Sequence, residues 1–125
     1  MTQTPSQPVV WIELPVRDLH KSMAFYGEVL DTELSLDTSG PNPMALFASA
    51  ESSVSGHLYP GTPPAEGSGP TVHFAVPDLL EDALDRCAKA GGKVKPGIIQ
   101  IPVGRFAYAN DIDGNSIGLF ETSKG

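Results

Sequence analysis

The sequence predicts an α+β domain made of two tandem βαβββ modules. Each module has a strand-like segment, then an amphipathic helix, then three short strand-like segments. The same order recurs 60 residues later, after a connector rich in Pro and Gly. One helix and one sheet cannot bury their apolar faces alone. We therefore expect a curved, partly open eight-stranded sheet around a cavity, with the helices on its outer face.

The predicted domain boundaries follow from this repeat. A short tail at 1–8 precedes a single domain at 9–125. Within the domain, module one spans 9–59, a linker spans 60–70 and module two spans 71–121. A chain of 125 residues fits one domain of ordinary size.

The first module opens on VVWIELPV at 9–16, whose apolar and other residues alternate as in a strand. Asp18 then stands where a helix N-cap belongs, and a helix-period apolar stripe follows over 19–30. The remaining strands of this module are predicted at 32–37, 44–49 and 53–59.

The second module repeats this plan. The V-x-D-L string at 16–19 recurs at 76–79, which follows a strand-like segment. Asp78 is the predicted N-cap and forms a capping box with Glu81. Its helix is predicted over 79–90, ending at a Gly-Gly pair. The remaining strands are predicted at 93–101, 105–110 and 115–121, with the turn DIDGN before the last.

The two faces of the predicted sheet differ in polarity. The face toward the helices is uniformly apolar in the first and last strands, whereas Glu13 and Trp11 alternate to the opposite face. His73, 60 residues after Glu13, falls on that same face. Polar and aromatic groups therefore collect on the side that would line the cavity.

Composition excludes several functions. The formal net charge is −7 and no basic stripe is present, which argues against a nucleic-acid partner. No apolar run approaches the length of a membrane span, and the N-terminal residues lack the features of a signal peptide. A single cysteine, Cys87, fits the reducing cytoplasm, where we expect the protein to reside.

Three motifs resemble the vicinal oxygen chelate superfamily of glyoxalases, bleomycin-resistance proteins and extradiol dioxygenases. They are V-x-D-L at 16–19, S-x-x-F-Y at 22–26 and D-x-D-G-N-x-I-x-L at 111–119. Segments around Trp11 and Gly104 resemble the branch of uncharacterised proteins related to lactoylglutathione lyase. The resemblance covers nearly the whole chain and implies the βαβββ fold and a homodimer.

The resemblance also implies where metal ligands would lie. In metal-using members they come from the first and last strands of each module, and three of the four positions fall here on Trp11, Thr71 and Gly118. None of these is a normal ligand for a divalent ion. The fourth position falls near Gly56 or His57. We therefore expect no metal cofactor at the inherited site.

Glu13 and His73 are the predicted catalytic pair, with His73 as a base held by the carboxylate. His73 is open to a second interpretation, as a half-buried structural histidine. A displaced metal site of Glu13, His57 and His73 is a further alternative, because two histidines and one carboxylate suit Fe(II). Arg105 is either a clamp for an anionic group or a partner in a surface ion pair. The predicted ligand-binding residues are Trp11, His57, Thr71, Arg105 and Phe120.

Three functions remain open on the sequence. The first is a lyase or isomerase acting on a small carbonyl compound through Glu13 and His73, without metal. The second is a non-catalytic binding protein of the bleomycin-resistance type, for which the acidic charge suits a cationic ligand. The third is a metal-dependent lyase or dioxygenase that uses displaced ligands. A small-molecule ligand is common to all three.

Overall fold

A computed structural model describes residues 8–50 and 53–123. The predicted tail, apart from Pro8, lies outside the described residues. Two helices and nine strands follow in the order β1 (Trp11–Val16), α1 (Leu19–Leu30), β2 (Ser35–Asp37), β3 (Met44–Leu46), β4 (Ser55–Pro60), β5 (Val72–Ala75), α2 (Leu80–Lys89), β6 (Lys93–Val94), β7 (Ile99–Ile101), β8 (Gly104–Asn110) and β9 (Ser116–Thr122).

The strands form two mixed sheets. Sheet one has the order β1-β4-β3-β2, and sheet two has the order β5-β9-β8-β6 with β7 also paired to β8. In each sheet the first and last strands of the module are parallel neighbours. The predicted α+β fold and modular order are confirmed, but the sheets stay separate and do not close.

The predicted strand at 93–101 is two strands instead of one. Pro96 and Gly97 interrupt it, because proline cannot donate to a strand ladder and Gly97 has a φ of 98°. The flanking pieces, β6 and β7, each pair with a different part of β8. This raises the strand count from eight to nine.

The core lies between each sheet and its helix, as the alternation predicts. Leu14 and Val16 of β1 and Ile117 and Leu119 of β9 are all buried. On α1 the buried stripe is continued by aromatic residues, and the Tyr26 ring contacts Phe residues of β5 and of the segment after β3. The other sheet face of the first strands stays half-buried or exposed.

Helix α2 begins differently from the prediction. Its N-cap is Leu79, which has no side-chain cap, and Asp78 pairs instead with Arg86 at 2.7 Å. The Leu80 N–H donates to Glu121 Oε1 of β9 at 2.7 Å. A tertiary carboxylate therefore replaces the local cap that the D-x-x-E string predicts. In α1 the predicted cap is correct, since Asp18 accepts from the Lys21 N–H.

The DIDGN turn fastens the two modules together. Asp111 is buried and accepts from the Tyr26 hydroxyl of α1 at 2.6 Å. The Asn115 amide donates to Asp111 and to the Pro15 carbonyl of β1. Asp113 accepts from the Ser22 hydroxyl. The backbone N–H of Arg17, in the V-x-D-L motif, also donates to Asp113. The three sequence motifs thus meet at one place, where the turn of module two contacts module one.

Strands β1 and β5 each have a free edge. Among the described residues β1 pairs only with β4, and β5 only with β9. Val16 O and Val76 N bond inward, toward those partners. Backbone groups alternate along a strand, so the odd-numbered residues of both strands direct theirs outward.

No helix of the described residues is long and apolar enough to cross a membrane.

Candidate functional site

The parallel register of β1 and β4 places Glu13 opposite His57. His57 Nε2 lies 3.3 Å from Glu13 Oε1, within ion-pair distance. On the other side of the imidazole, the Trp11 indole N–H donates to His57 Nδ1 at 3.0 Å. Three side chains of two neighbouring strands therefore form a chain of contacts, Trp11–His57–Glu13, on the face of sheet one away from α1.

Of the three contacting side chains, Glu13 is open to solvent, whereas His57 in the middle is largely covered. The His57 side chain is 12% exposed, whereas that of Glu13 is 66% exposed. Tyr59 lies beside His57, with the two ring centroids 6.3 Å apart. The carboxylate can therefore meet a ligand directly, while the imidazole behind it is held by contacts on several sides.

His73 lies in an aromatic cluster of sheet two. Its ring packs edge-on against Phe106, Tyr108 and Phe120, with centroids 5.1 to 6.0 Å away. The ring also covers Gly118, where an added Cβ would overlap the imidazole. Phe106 and Phe120 stack in parallel at 5.6 Å. His73 is therefore an exposed histidine held by aromatic contacts, whereas the second interpretation expected it to be half-buried.

Within one chain the predicted Glu13–His73 pair is not formed. Among the described residues, the only basic side chain within 4 Å of the Glu13 carboxylate is His57. The displaced metal triad of Glu13, His57 and His73 is likewise not assembled, and no group of three metal-ligating side chains occurs in residues 8–50 and 53–123. Glu13 and His73 lie on β1 and β5, which belong to different sheets and are not paired with each other in the described residues.

Arg105 lies on the helix side of sheet two and not with the predicted ligand-binding residues. Its guanidinium bonds Glu81 of α2 through two nitrogens, at 2.6 and 2.7 Å, and Glu121 at 2.8 Å. These bonds lower the pKa of Glu81 to about 2. Arg105 therefore supports the start of α2 and is not a free clamp for an anion.

A groove of about 840 Å³ runs along the β5 edge and the near side of sheet one. Its walls include Thr71 and His73 among the predicted residues, and Phe47 and Phe74 supply apolar surface. Thr71 also shares a hydrogen bond with Ser116 at 2.6 Å. Trp11, Glu13 and His57 are not on the groove wall. The polar contacts and this groove are therefore neighbouring features and not one site.

The Glyoxalase/Bleomycin resistance protein/Dioxygenase superfamily model matches residues 9–119. The chain belongs to this superfamily. No curated protein matches the sequence. The glyoxalase-superfamily assignment agrees with the fold, in which paired modules carry one helix each.

Solved structures with the same fold are distant in sequence. A glyoxalase/bleomycin resistance protein from Albidiferax ferrireducens T118 is 21% identical, with a TM-score of 0.72, over 94% of this chain and all of the other. The fosfomycin resistance protein FosX from Listeria monocytogenes is 19% identical, with a TM-score of 0.71, over 96% of this chain and 94% of its own. Identities this low show the fold alone.

The strand register identifies the fourth inherited metal position of the superfamily. In sheet one, Glu13 lies opposite His57. In sheet two, His73, the repeat counterpart of Glu13, lies opposite Gly118. His57 is therefore the module-one equivalent of Gly118, which is a ligand position. The full set is Trp11, His57, Thr71 and Gly118, in which only His57 is a good ligand. The residues present do not fit the metal that the superfamily implies.

Sequence reasoning missed the two contacts that define the polar site. Alternation placed Trp11, Glu13 and His57 on one face, but it could not tell which strands are neighbours. The signal was available in the module plan, because a first strand that pairs in parallel with the last strand of its own module sets Glu13 opposite a residue of β4. Glu121 was also missed, since its role as a cap depends on the distant Leu80 N–H.

Proposed function

We propose that the protein binds a small carbonyl compound and moves a proton at the carbon next to the carbonyl, in an isomerase or lyase reaction without metal. The observation that carries the proposal is the contact between His57 Nε2 and the exposed Glu13 carboxylate, at 3.3 Å. A carboxylate base beside an imidazole that can donate to the substrate oxygen is a combination suited to such proton transfer.

The roles differ from those first predicted. Glu13 accepts the proton, because its carboxylate is the exposed member of the pair. His57 takes the place of His73 as the partner, and it donates a hydrogen bond to the substrate oxygen where negative charge develops. A contribution of His73, Thr71 and Phe120 to ligand binding stays a prediction.

The test is deuterium exchange. Hydroxyacetone is incubated with the protein in D₂O and the loss of its α-proton signals is followed by NMR. Catalysed exchange should fall by about 10²-fold or more in Glu13→Gln, the range for loss of a general base. His57→Gln should also lose exchange. The matched control is His20→Gln, which changes an exposed histidine of α1 and should leave the rate unchanged.

Stability provides the second half of the test. Glu13→Gln should change the free energy of unfolding by no more than about 0.5 kcal/mol, because the side chain is mostly exposed. Exchange that proceeds equally well in Glu13→Gln, with the variant fully folded, would contradict the role of the carboxylate.

A second candidate function is non-catalytic binding of a cationic small molecule. The exposed Glu13 carboxylate adjoins Trp11, which is 45% exposed, and the chain has a net charge of −7. An aromatic face beside a carboxylate attracts an ammonium group. Trp11 is the sole tryptophan, so its fluorescence reports directly on phenyltrimethylammonium binding. Binding lost in Glu13→Gln, with no exchange of hydroxyacetone by the unaltered protein, would favour this candidate.

A further inference from the structure

We propose that Trp11 is a positioning residue that fixes the tautomer of His57 and closes this histidine to metal ions. The observation is the bond from the Trp11 indole N–H to His57 Nδ1, at 3.0 Å. The inference rests on the proposed function only for its catalytic consequence. The tautomer and the closure to metals follow from the geometry of the two side chains.

The direction of the hydrogen bond decides the tautomer. An indole N–H donates and cannot accept, so Nδ1 must offer its lone pair. A neutral imidazole has one N–H and one acceptor nitrogen, and the proton of His57 is therefore on Nε2. Nε2 is the nitrogen that lies 3.3 Å from Glu13. Trp11 thus directs the single imidazole proton to the side of the carboxylate.

The opposite tautomer would undo the proposed site. With the proton on Nδ1, the His57 ring would turn an N–H toward the indole N–H and a lone pair toward the Glu13 carboxylate. Both contacts are repulsive, and the ring would have no proton to donate to a substrate oxygen next to Glu13. Tyr59 flanks the imidazole, which limits its freedom to rotate away.

The same bond occupies the lone pair that His57, the surviving inherited ligand, would offer to a metal ion. Neutral histidine binds a metal through its lone-pair nitrogen. In His57 that lone pair is occupied by Trp11, the residue at the neighbouring inherited ligand position. The indole therefore takes the place of a metal ion on the imidazole. A tryptophan at position 11, where metal-using members have a ligand, would thus remove one ligand and also block the second one, His57.

The test measures the tautomer of His57 and does not depend on the proposed reaction. Long-range ¹H–¹⁵N NMR at about pH 8, above the ordinary titration range of imidazole, distinguishes the two tautomers of each histidine. His57 should show a proton on Nε2 and a bare Nδ1, with the exposed His20 as internal reference. In Trp11→Phe the pattern should move toward a mixture, while Tyr108→Phe, an aromatic change on the other sheet, should leave it unaltered.

A Ni²⁺ titration provides an independent readout. Paramagnetic broadening should reach His20 first in the unaltered protein, and His57 should need about tenfold more Ni²⁺, as for the loss of a supporting contact. In Trp11→Phe this protection should disappear. A proton on Nδ1 in the unaltered protein, or a His57 as sensitive to Ni²⁺ as His20, would overturn the inference.

These measurements separate the two proposals. The tautomer of the unaltered protein is decisive even if Trp11→Phe folds poorly. A fixed Nε2–H tautomer without deuterium exchange would leave the inference standing and count against the proposed reaction. Deuterium exchange without the fixed tautomer would support the proposed reaction and overturn the inference about Trp11.

Discussion

At the residue scale, the polar chemistry of the molecule depends on a few side chains whose neighbours are set by strand pairing. The two neighbours of Glu13 on its face of β1, Trp11 and Pro15, have different roles. Trp11 reaches His57, the imidazole that faces Glu13, whereas Pro15 lies on an outward position of the free edge and has its carbonyl bonded by Asn115. Proline is tolerated there because no inward N–H is needed.

Gly118 and His73 form a second pair of mutually dependent residues. Gly118 is buried, and the His73 ring lies over it. Gly118→Ala should displace this ring from its aromatic neighbours and destabilise the protein by about 1 kcal/mol, the size of an aromatic contact. Urea unfolding measures the change. Gly40→Ala is the control, since nothing lies within 4 Å of that position.

A double-mutant cycle decides whether the ring is the cause. In a His73→Ala background the space above Gly118 is empty, so Gly118→Ala should cost little. An equal cost in both backgrounds would show that the glycine is required by its backbone and not by the imidazole.

At the element scale, α2 begins on groups supplied by sheet two. Glu121 accepts from the Leu80 N–H, and Arg105 bridges Glu121 and Glu81. Acidic side chains near a helix N-terminus are favourable because of the helix dipole. Helix α2 therefore depends on its sheet for the cap that its own sequence lacks at Leu79.

This arrangement predicts a pH dependence of stability. Arg105 lowers the pKa of Glu81 to about 2 and lowers that of Glu121. Carboxylates with a depressed pKa in the folded state stabilise it above their unfolded pKa of about 4.3, and this contribution is lost as the pH falls toward 2. Arg105→Gln should therefore flatten the dependence of the unfolding free energy on pH between about 4.5 and 2.

Lys89→Gln is the matched control for this prediction. It removes an exposed ion pair with Asp85 on the same helix, and surface pairs of this kind contribute little. Chemical denaturation at a series of pH values measures both variants. A slope in Arg105→Gln equal to that of the unaltered protein would contradict the role of the bridge.

At the scale of the whole molecule, the two modules meet on the helix side and stay apart at their strand edges. The Asp111 turn and Arg86, which donates to the Val29 carbonyl at the end of α1, join the modules. Strands β1 and β5 keep free edges beside an apolar groove. Free edges with apolar surroundings favour association, so we propose that the protein is a homodimer.

Light scattering of the purified protein tests the dimer. The expected mass is twice that of one chain, which is 13.2 kDa. Ala75→Pro copies into β5 the residue that β1 has at the equivalent place, Pro15, and removes an outward N–H. It should weaken a dimer that pairs through β5. A monomer at every micromolar concentration would refute the proposal.

The sequence by itself determined the fold class, the modules and the burial pattern. Alternation and helical periodicity are local, so the buried face of β1 and the course of α1 could be read directly. The loss of ligands at Trp11, Thr71 and Gly118 was also visible, because those positions are counted along the chain from nearby motifs.

Only the tertiary structure decided which polar groups meet. Glu13 and His73 are equivalent in the repeat, yet equivalence places them on corresponding strands of different sheets and not in contact. Glu13 instead meets His57, and Arg105 meets the carboxylates of α2 and β9. Such contacts depend on which strands are neighbours and in what register. A side-chain pair forms over a few ångströms across the sheet, a distance that sequence spacing does not encode.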